Sequence, residues 1–340
     1  MKYKNMEIQM KIEEKQTEFY VCDSIITLAN HWDHFLARFG WRRNHRRVKP
    51  GLYKLGNPTQ ESLVFASANY TLSFDALRSS LKGIDGYILV LDTRGVNVWC
   101  AAGEGTFGTD ELVHRIEMTE LSKVVNHRSI ILPQLGAPGI CAHEVGKRSG
   151  FKVEYGPVCS SDFPNYLKTR TATAEMRRVR FNLRDRLELI PVEIMAFLFI
   201  AIIVILIGLF TGEIWKSLQI LGILITGLVL FPILLPWIPT CDFITKGLLL
   251  GGVAVMMIYF LPAYLKNGIF GWALAWETLI NMLIMTPVVA FLALNFTGST
   301  TFTSRTGVRR EIFTYIPILA AMFISGIIFS IVMYLIKLRS

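Results

Sequence analysis

The chain has 340 residues, 35 Lys and Arg against 26 Asp and Glu, and a formal net charge of +9. Charge is unevenly spread: residues 1–190 hold 27 Lys/Arg and 21 Asp/Glu, whereas residues 191–340 hold only 8 and 5. So long a stretch with so few charges reads as membrane-spanning rather than as soluble core, which excludes a purely soluble enzyme.

The opening residues, MKYKNMEIQMKIEEKQTEF, lack the apolar core of a secretory signal, so the N-terminus and the soluble part are expected in the cytoplasm. Residues 1–61 read as a partly basic N-terminal extension. Within it, HWDHFLARFGWRRNHRRVKP (31–50) has six Lys/Arg, one Asp, three His and two Trp. That mixture suits phosphate or an anionic membrane surface. No nucleic-acid motif follows, and no nucleic-acid partner is expected.

From residue 62 the pattern alternates between strand and helix. Ser62–Ala66 reads as a strand, Ser73 as the cap of a helix over Phe74–Leu81, and Tyr87–Leu91 as a second strand. Asp110 and Glu111 favour a helix start at Thr109. Ser129–Leu132 and Phe151–Tyr155 are further strands, separated by a helix near Ile140–Arg148. This predicts an α/β, Rossmann-like, mostly parallel sheet over residues 62–168, with functional residues at the carboxyl ends of its strands. Residues 169–190 read as a basic linker.

The loop after Leu91 carries the most chemistry. Gly103-Glu-Gly-Thr-Phe-Gly108 matches G-x-G-x-x-G formally, but a helix-like Trp-Cys-Ala-Ala segment precedes it where a dinucleotide site needs a strand end. Cys100 lies among Ala and Gly, where backbone can approach a flat, bulky group. Taken alone it is a buried small hydrophobe, a soft metal ligand or a nucleophile. The third role needs a base, and spacing ties none of His114, His127 and His143 to it. Five cysteines (Cys22, Cys100, Cys141, Cys159, Cys241) with no C-x-x-C pair argue against a disulfide framework and against an iron–sulfur cluster in this chain. Cys141 and Cys159 either pack or relay a soft metal.

Residues 191–340 divide into five spans: Val192–Phe210, Leu218–Ile238, Gly247–Leu265, Phe270–Leu294 and Ile312–Leu335. Arg177, Arg178, Arg180, Arg184 and Arg186 precede the first span, and Arg305, Arg309 and Arg310 lie between the fourth and fifth. Both clusters are expected on the cytoplasmic side, which places a multi-pass protein in the cell inner (cytoplasmic) membrane, in contact with membrane lipid. Lys337 and Arg339 run mildly against that orientation. Pro232, Pro236 and Pro239 are expected to kink or end the second span. Glu277 and Asn281 share a helix face in the fourth, as an interhelical hydrogen bond or as a contact for an ion or substrate.

At Asn97-Val-Trp-Cys-Ala-Ala-Gly103 the chain resembles the corrinoid-binding membrane protein of microbial mercury methylation, the HgcA family. The resemblance extends over SANYTLSFDALRSSL (67–81), GIDGYILVLDTRGVNVWCAAG (83–103), GTFGTDEL (105–112), ILPQLGAPGICAHEVGKRSGFKVEYGPV (131–158), RDRLELIPVEI (184–194) and LNFTGSTTFTSRTGV (294–308). Part of it is shared with the large subunit of the corrinoid iron–sulfur protein of the acetyl-CoA pathway, a distant cousin without the membrane domain. The resemblance implies a Rossmann-like corrinoid-binding domain followed by a five-helix transmembrane domain. It also implies an enzyme that moves a methyl group from methyl-Co(III) cobalamin, or a related corrinoid, to inorganic Hg(II).

By the same resemblance Cys100 supplies the lower axial thiolate to the corrinoid cobalt. Asn97, Val98 and Trp99 belong to the cap helix that places it. Ala101, Ala102 and Gly103 let that helix lie flat beneath the ring, and Gly105, Thr106, Phe107, Gly108 and Thr109 complete the loop. Asn69, Thr71, Asp92 and Thr93, after the first two strands, and Gly136, in the turn with Pro138 and Gly139, are candidate corrinoid contacts or plain turn residues. The implied partners are a small ferredoxin-like iron–sulfur protein (HgcB type) that supplies electrons and a methyltetrahydrofolate-dependent methyl donor.

One position departs from the family pattern, which has lysine where this chain has Glu104. On a helical cap, position 104 shares the face of Cys100, where lysine favours a thiolate and a carboxylate disfavours it. Pointed at solvent, the exchange costs little. The departure leaves open a corrinoid methyl-transfer protein with a non-mercury acceptor, in one-carbon metabolism or acting on another metalloid. A membrane protein whose soluble domain merely senses a ligand is the third alternative.

Overall fold

Two apolar runs, VFASA and GYILVL, form adjacent parallel strands at the centre of a six-stranded sheet and are buried along their whole length. Strands covered by helices on both faces read as such unbroken runs. The computed structural model describes residues 19–42, 45–268, 271–300 and 305–339. The chain forms two units, Met1–Val179 and Arg180–Ser340.

The first unit runs β1 (Phe19–Cys22), α1 (Leu28–Arg38), β2 (Gly51–Leu55), β3 (Val64–Ala68), α2 (Thr71–Ser80), β4 (Gly86–Leu91), α3 (Val98–Glu104), α4 (Thr109–Met118) and α5 (Leu121–Val124). It continues through β5 (Ser129–Leu132), α6 (Ala142–Ser149), β6 (Lys152–Tyr155) and α7 (Phe163–Thr169). The strand order is β1-β2-β4-β3-β5-β6. Strands β3, β4, β5 and β6 are mutually parallel, whereas β2 is antiparallel to β4 and carries β1 beside it in parallel. The α/β, mostly parallel reading therefore holds, and the sheet also takes in two strands that lie before residue 62. Alternation of side chains divides its core. Ala66, Leu89 and Leu91 pack with Val98, Phe107 and Leu112 on one face, and Phe65, Ile88 and Val90 with Phe74, Leu77 and Phe163 on the other.

Two boundaries differ from expectation for a common reason. The first expected strand occupies Val64–Ala68, and the helix expected to start after Ser73 starts at Thr71, with Tyr70 at the cap position but its side chain not capping the helix. The chain at 46–48 does the capping instead. Thr71 N donates to Arg46 O at 3.1 Å, and Val48 N donates to Asn69 O at 2.9 Å. A free N–H of the first helical turn is thus satisfied by backbone rather than by a serine. The basic segment is tied down further by His34, which lies 2.8 Å from buried Asp75, itself paired with Arg78 at 2.6 Å.

The second unit opens with α8 (Leu183–Leu187). Five helices long and apolar enough to cross a membrane contain or follow it: Leu183–Thr211, Ile214–Leu234, Phe243–Lys266, Trp272–Gly298 and Thr306–Leu338. Within these, α9 is Ile190–Thr211, α10 Ile214–Leu234, α11 Phe243–Lys266, α12 Trp272–Asn295 and α13 Arg305–Arg339. Only 6% of the most apolar stretch of α9 is buried, against 44% for α10 and for α12, so α10 and α12 are central and α9 leaves most of its apolar surface exposed. Small residues let helices approach closely. A Cβ added to Gly247 or Gly251 of α11 would come within 2.5 Å or 3.1 Å of Ala290 or Thr286 Cα on α12.

Pro232 does not end α10 outright. A π-helical turn, Thr226–Leu230, precedes it and the helix runs on to Leu234; Met256–Phe260 precedes Pro262 of α11 in the same way. A proline removes an i→i−4 hydrogen bond and crowds the turn before it, and a wider turn absorbs both effects. At that end of α10, buried Arg186 donates to Pro232 O at 2.9 Å and Ile233 O at 2.6 Å. Arg310 pairs with Asp242 at 2.6 Å beside the start of α11, so the two arginine clusters meet the same end of the bundle.

Candidate functional site

The loop between β4 and α3 is built around one buried amide. Asn69, just past the end of β3, is 1% exposed. Its Oδ1 accepts from Thr93 N at 3.1 Å and Gly95 N at 2.9 Å and lies 2.9 Å from the Thr93 hydroxyl, while its Nδ2 donates to Asp92 at 3.0 Å. Arg94 and Gly95, both at positive φ, make the turn that this amide cross-links. Asp92 also accepts from Arg94 N, and its own N–H donates to Glu111. Asn69, Asp92 and Thr93 thus share one network whose geometry fixes where α3 begins.

Asn97 then caps α3 by accepting from Cys100 N at 2.9 Å. The helix lays Val98, Ala101 and Ala102 on the core and turns Trp99, Cys100, Gly103 and Glu104 outward. Gly105, at φ 88°, ends it in the left-handed region. Phe107, fully buried, locks the return: its N–H donates to Ala101 O at 3.1 Å, and its ring lies where a Cβ on Gly136 would sit. Gly139 packs against the Phe107 carbonyl and Ala102 in the same way. Gly108 caps α4, and the Thr109 hydroxyl accepts from Cys141 N at 2.8 Å. The G-x-G-x-x-G match is therefore a helix–turn–helix join with no strand directly before it.

Beside the start of α3 lies a groove of about 340 Å³, lined by Ala66 and Ser67 of β3, Ser73 and Ala76 of α2, and Asn97, Val98 and Trp99. Pro133, Leu135, Val158, Ser160 and Phe163 close its far wall. Strand β3 has β4 on one side and β5 on the other, so the groove opens at the carboxyl edge where the chain reverses its direction of winding.

Of the candidate residues, Asn97, Val98 and Trp99 line the groove, Cys100 to Thr109 continue the loop beside it, and Asn69, Asp92, Thr93 and Gly136 hold that loop from beneath. Thr71 starts α2 and is not among the groove residues. The small residues on α2 and β3 were not singled out from sequence; the Ser73–Ala76 spacing on one helix face was the available signal. His127 is spent on Ser62 O and Ser129 N, and His114 and His143 are exposed without a hydrogen bond to Cys100. Cys141 and Cys159 are exposed rather than packed. Among the described residues no three His, Cys, Asp or Glu converge on a metal position. A metal bound at Cys100 would take one sulfur from the protein and the rest of its ligands from its own macrocycle, and an outward thiol beside a groove walled by Ala and Ser fits that donor set.

Residues 38–167 match the family described as CO dehydrogenase/acetyl-CoA synthase delta subunit. An acetyl-CoA decarbonylase/synthase complex subunit gamma of Methanopyrus kandleri is 31% identical over 128 residues, 37% of this chain and 27% of that protein. The subunit of the same name from Archaeoglobus fulgidus is 33% identical over 124 residues, 36% of this chain and 26% of that protein. The chain thus spans about a quarter of the length of these curated relatives. The similarity is distant and lies in the first unit, across the sheet, α3 and the groove.

Proposed function

We propose that this chain is a membrane-anchored corrinoid methyltransferase that uses Cys100 as the lower axial ligand of cobalt and passes a methyl group to inorganic Hg(II). The observation that carries the reading is the outward Cys100 thiol on a short helix whose other face is Val98, Ala101 and Ala102, at the switch point of a sheet similar to acetyl-CoA synthase complex subunits. The corrinoid supplies the cobalt that accepts and releases the methyl group.

The chain's own residues set the lower face. Asn97 fixes the first turn of α3 and so the position of Sγ, and Phe107 with Gly136 and Gly139 keeps that helix from tilting. A sulfur held there would push electron density toward a bound metal, as a cysteine ligand does in haem proteins, and so would favour transfer of a carbon to an electrophilic acceptor. Trp99, half-exposed, shields the groove side of the thiol. The reductant is a small ferredoxin-like iron–sulfur partner, and the methyl group comes from a methyltetrahydrofolate-dependent donor. The five helices hold the domain at the cytoplasmic membrane, with the soluble unit in the cytoplasm.

One observation favours a second acceptor. Helix α3 runs unbroken to Glu104, which places a carboxylate one turn from Cys100 with both residues exposed. A carboxylate thus stands where the family pattern has lysine, so a non-mercury acceptor is the second reading. Co-expression with the ferredoxin-like partner under anaerobic conditions, followed by a methylmercury assay, tests the first. Methylmercury formed by the wild-type chain and not by Cys100→Ala supports it. A chain that binds cobalamin yet forms no methylmercury, even as Glu104→Lys, supports the second.

A further inference from the structure

The second unit holds a cleft that anchoring alone does not explain. It measures about 660 Å³ and lies at the end of the bundle away from Arg186, between the start of α10, the end of α11 and the start of α12. Its charged lining is Glu213, Lys216, Lys266 and Glu277, joined by Gln219, Tyr259, Thr278 and Asn281, over an apolar floor that includes Ile220 and Met285.

Three features point to a ligand. Lys266 and Glu277 face the same cleft, yet among the described residues neither makes an ion pair or hydrogen bond with the other or with a third group. Both side chains are exposed, so each charge is open to a group that enters the cleft. The Tyr259 hydroxyl is fully buried and makes no hydrogen bond among the described residues. Leaving such a group unmet is costly. Tyr259 also sits on the π-helical turn before Pro262, and Gln219 fastens that turn from across the cleft by donating to Ile258 O at 3.0 Å. The distortion is thus held by a side chain, and Tyr259, whose hydroxyl is buried behind the cleft lining, rides on it. Lys216 leans on Glu213 at 3.2 Å and adds no net charge.

We infer that this cleft binds a zwitterion, with its ammonium on Glu277 and Asn281, its anionic end on Lys266, and a hydrogen bond from the Tyr259 hydroxyl. Neutral overall, the lining matches neither a bare cation nor a bare anion. Two sources carry this chemistry, a free α-amino acid and the headgroup of phosphatidylethanolamine. The inference is independent of the corrinoid reading.

The test uses the full chain in nanodiscs of phosphatidylglycerol, which lacks an ammonium group. Equilibrium dialysis with labelled L-alanine and native mass spectrometry after addition of phosphatidylethanolamine are the two arms. Saturable binding of either probe is expected, weakened about tenfold or more by Glu277→Gln or Lys266→Gln. Tyr259→Phe, which keeps the ring in place, should weaken it several-fold. Binding in the alanine arm alone identifies a free amino acid, and binding in the lipid arm alone a headgroup. Thermal unfolding of each variant separates loss of binding from loss of fold. If neither probe is retained, or if retention is the same in wild type and in well-folded charge variants, the inference is wrong.

Discussion

At the scale of single residues, the account separates a sulfur that acts from side chains that place it. Cys100 is exposed and its side chain packs no core, so Cys100→Ala should abolish methyl transfer while leaving thermal unfolding nearly unchanged. Asn97→Ala removes the α3 cap and should cost about 1 kcal/mol, with weaker cobalamin binding seen by absorbance titration. Asn69→Ala strands Gly95 N in the interior at about 1–3 kcal/mol and takes one acceptor from both the N–H and the hydroxyl of Thr93, so denaturant unfolding should register a larger loss than for Asn97→Ala. That a short helix carries Cys100 was legible from the loop's resemblance to a known family. That Asn69 and Thr93 serve the loop from below was not, because hydrogen-bond partners 24 residues apart leave no local pattern.

Among the elements, the first two strands set how the first unit responds to alkali. Burial pushes the Cys22 thiol of β1 up to about 11 and the Tyr53 hydroxyl of β2 up to about 12, from ordinary values of 9.0 and 10.0. Both groups hold their proton more tightly folded than unfolded, so their contribution is intact below pH 9 and is lost as pH rises from there toward 12. Stability by denaturant titration should fall over that window, and Cys22→Ser should flatten its lower part. The same strands were the hardest elements to read. Four and five residues long, they flank a segment whose charges dominate its composition, and their fit appears only when β2 pairs with β4. Strands β3, β4 and β5 were readable because burial on both faces leaves a continuous apolar run. The π turns of α10 and α11 were not, since proline signals a disturbance in a helix without saying whether the helix stops or widens.

For the whole molecule, each core cluster of the first unit draws only on residues of that unit. Residues 1–179 expressed alone should therefore fold cooperatively and bind cobalamin, as circular dichroism and absorbance titration would register; an unfolded product would place part of the α/β core elsewhere. The division into a soluble half and a five-span half was plain from charge density, because membrane helices cannot hide their composition. The mixed lining of the cleft in the bundle was not, because Tyr259 and Lys266 of α11 meet Glu277 of α12 only once the helices pack.

The ligation of cobalt by sulfur is the claim on which the functional account stands. X-ray absorption at the cobalt edge of the cobalamin-loaded chain, prepared without oxygen, tests it directly. A sulfur scatterer in the first coordination shell of the wild-type protein, missing in Cys100→Ala, is the predicted result; a cobalt coordinated only by nitrogen and oxygen in the wild type contradicts it.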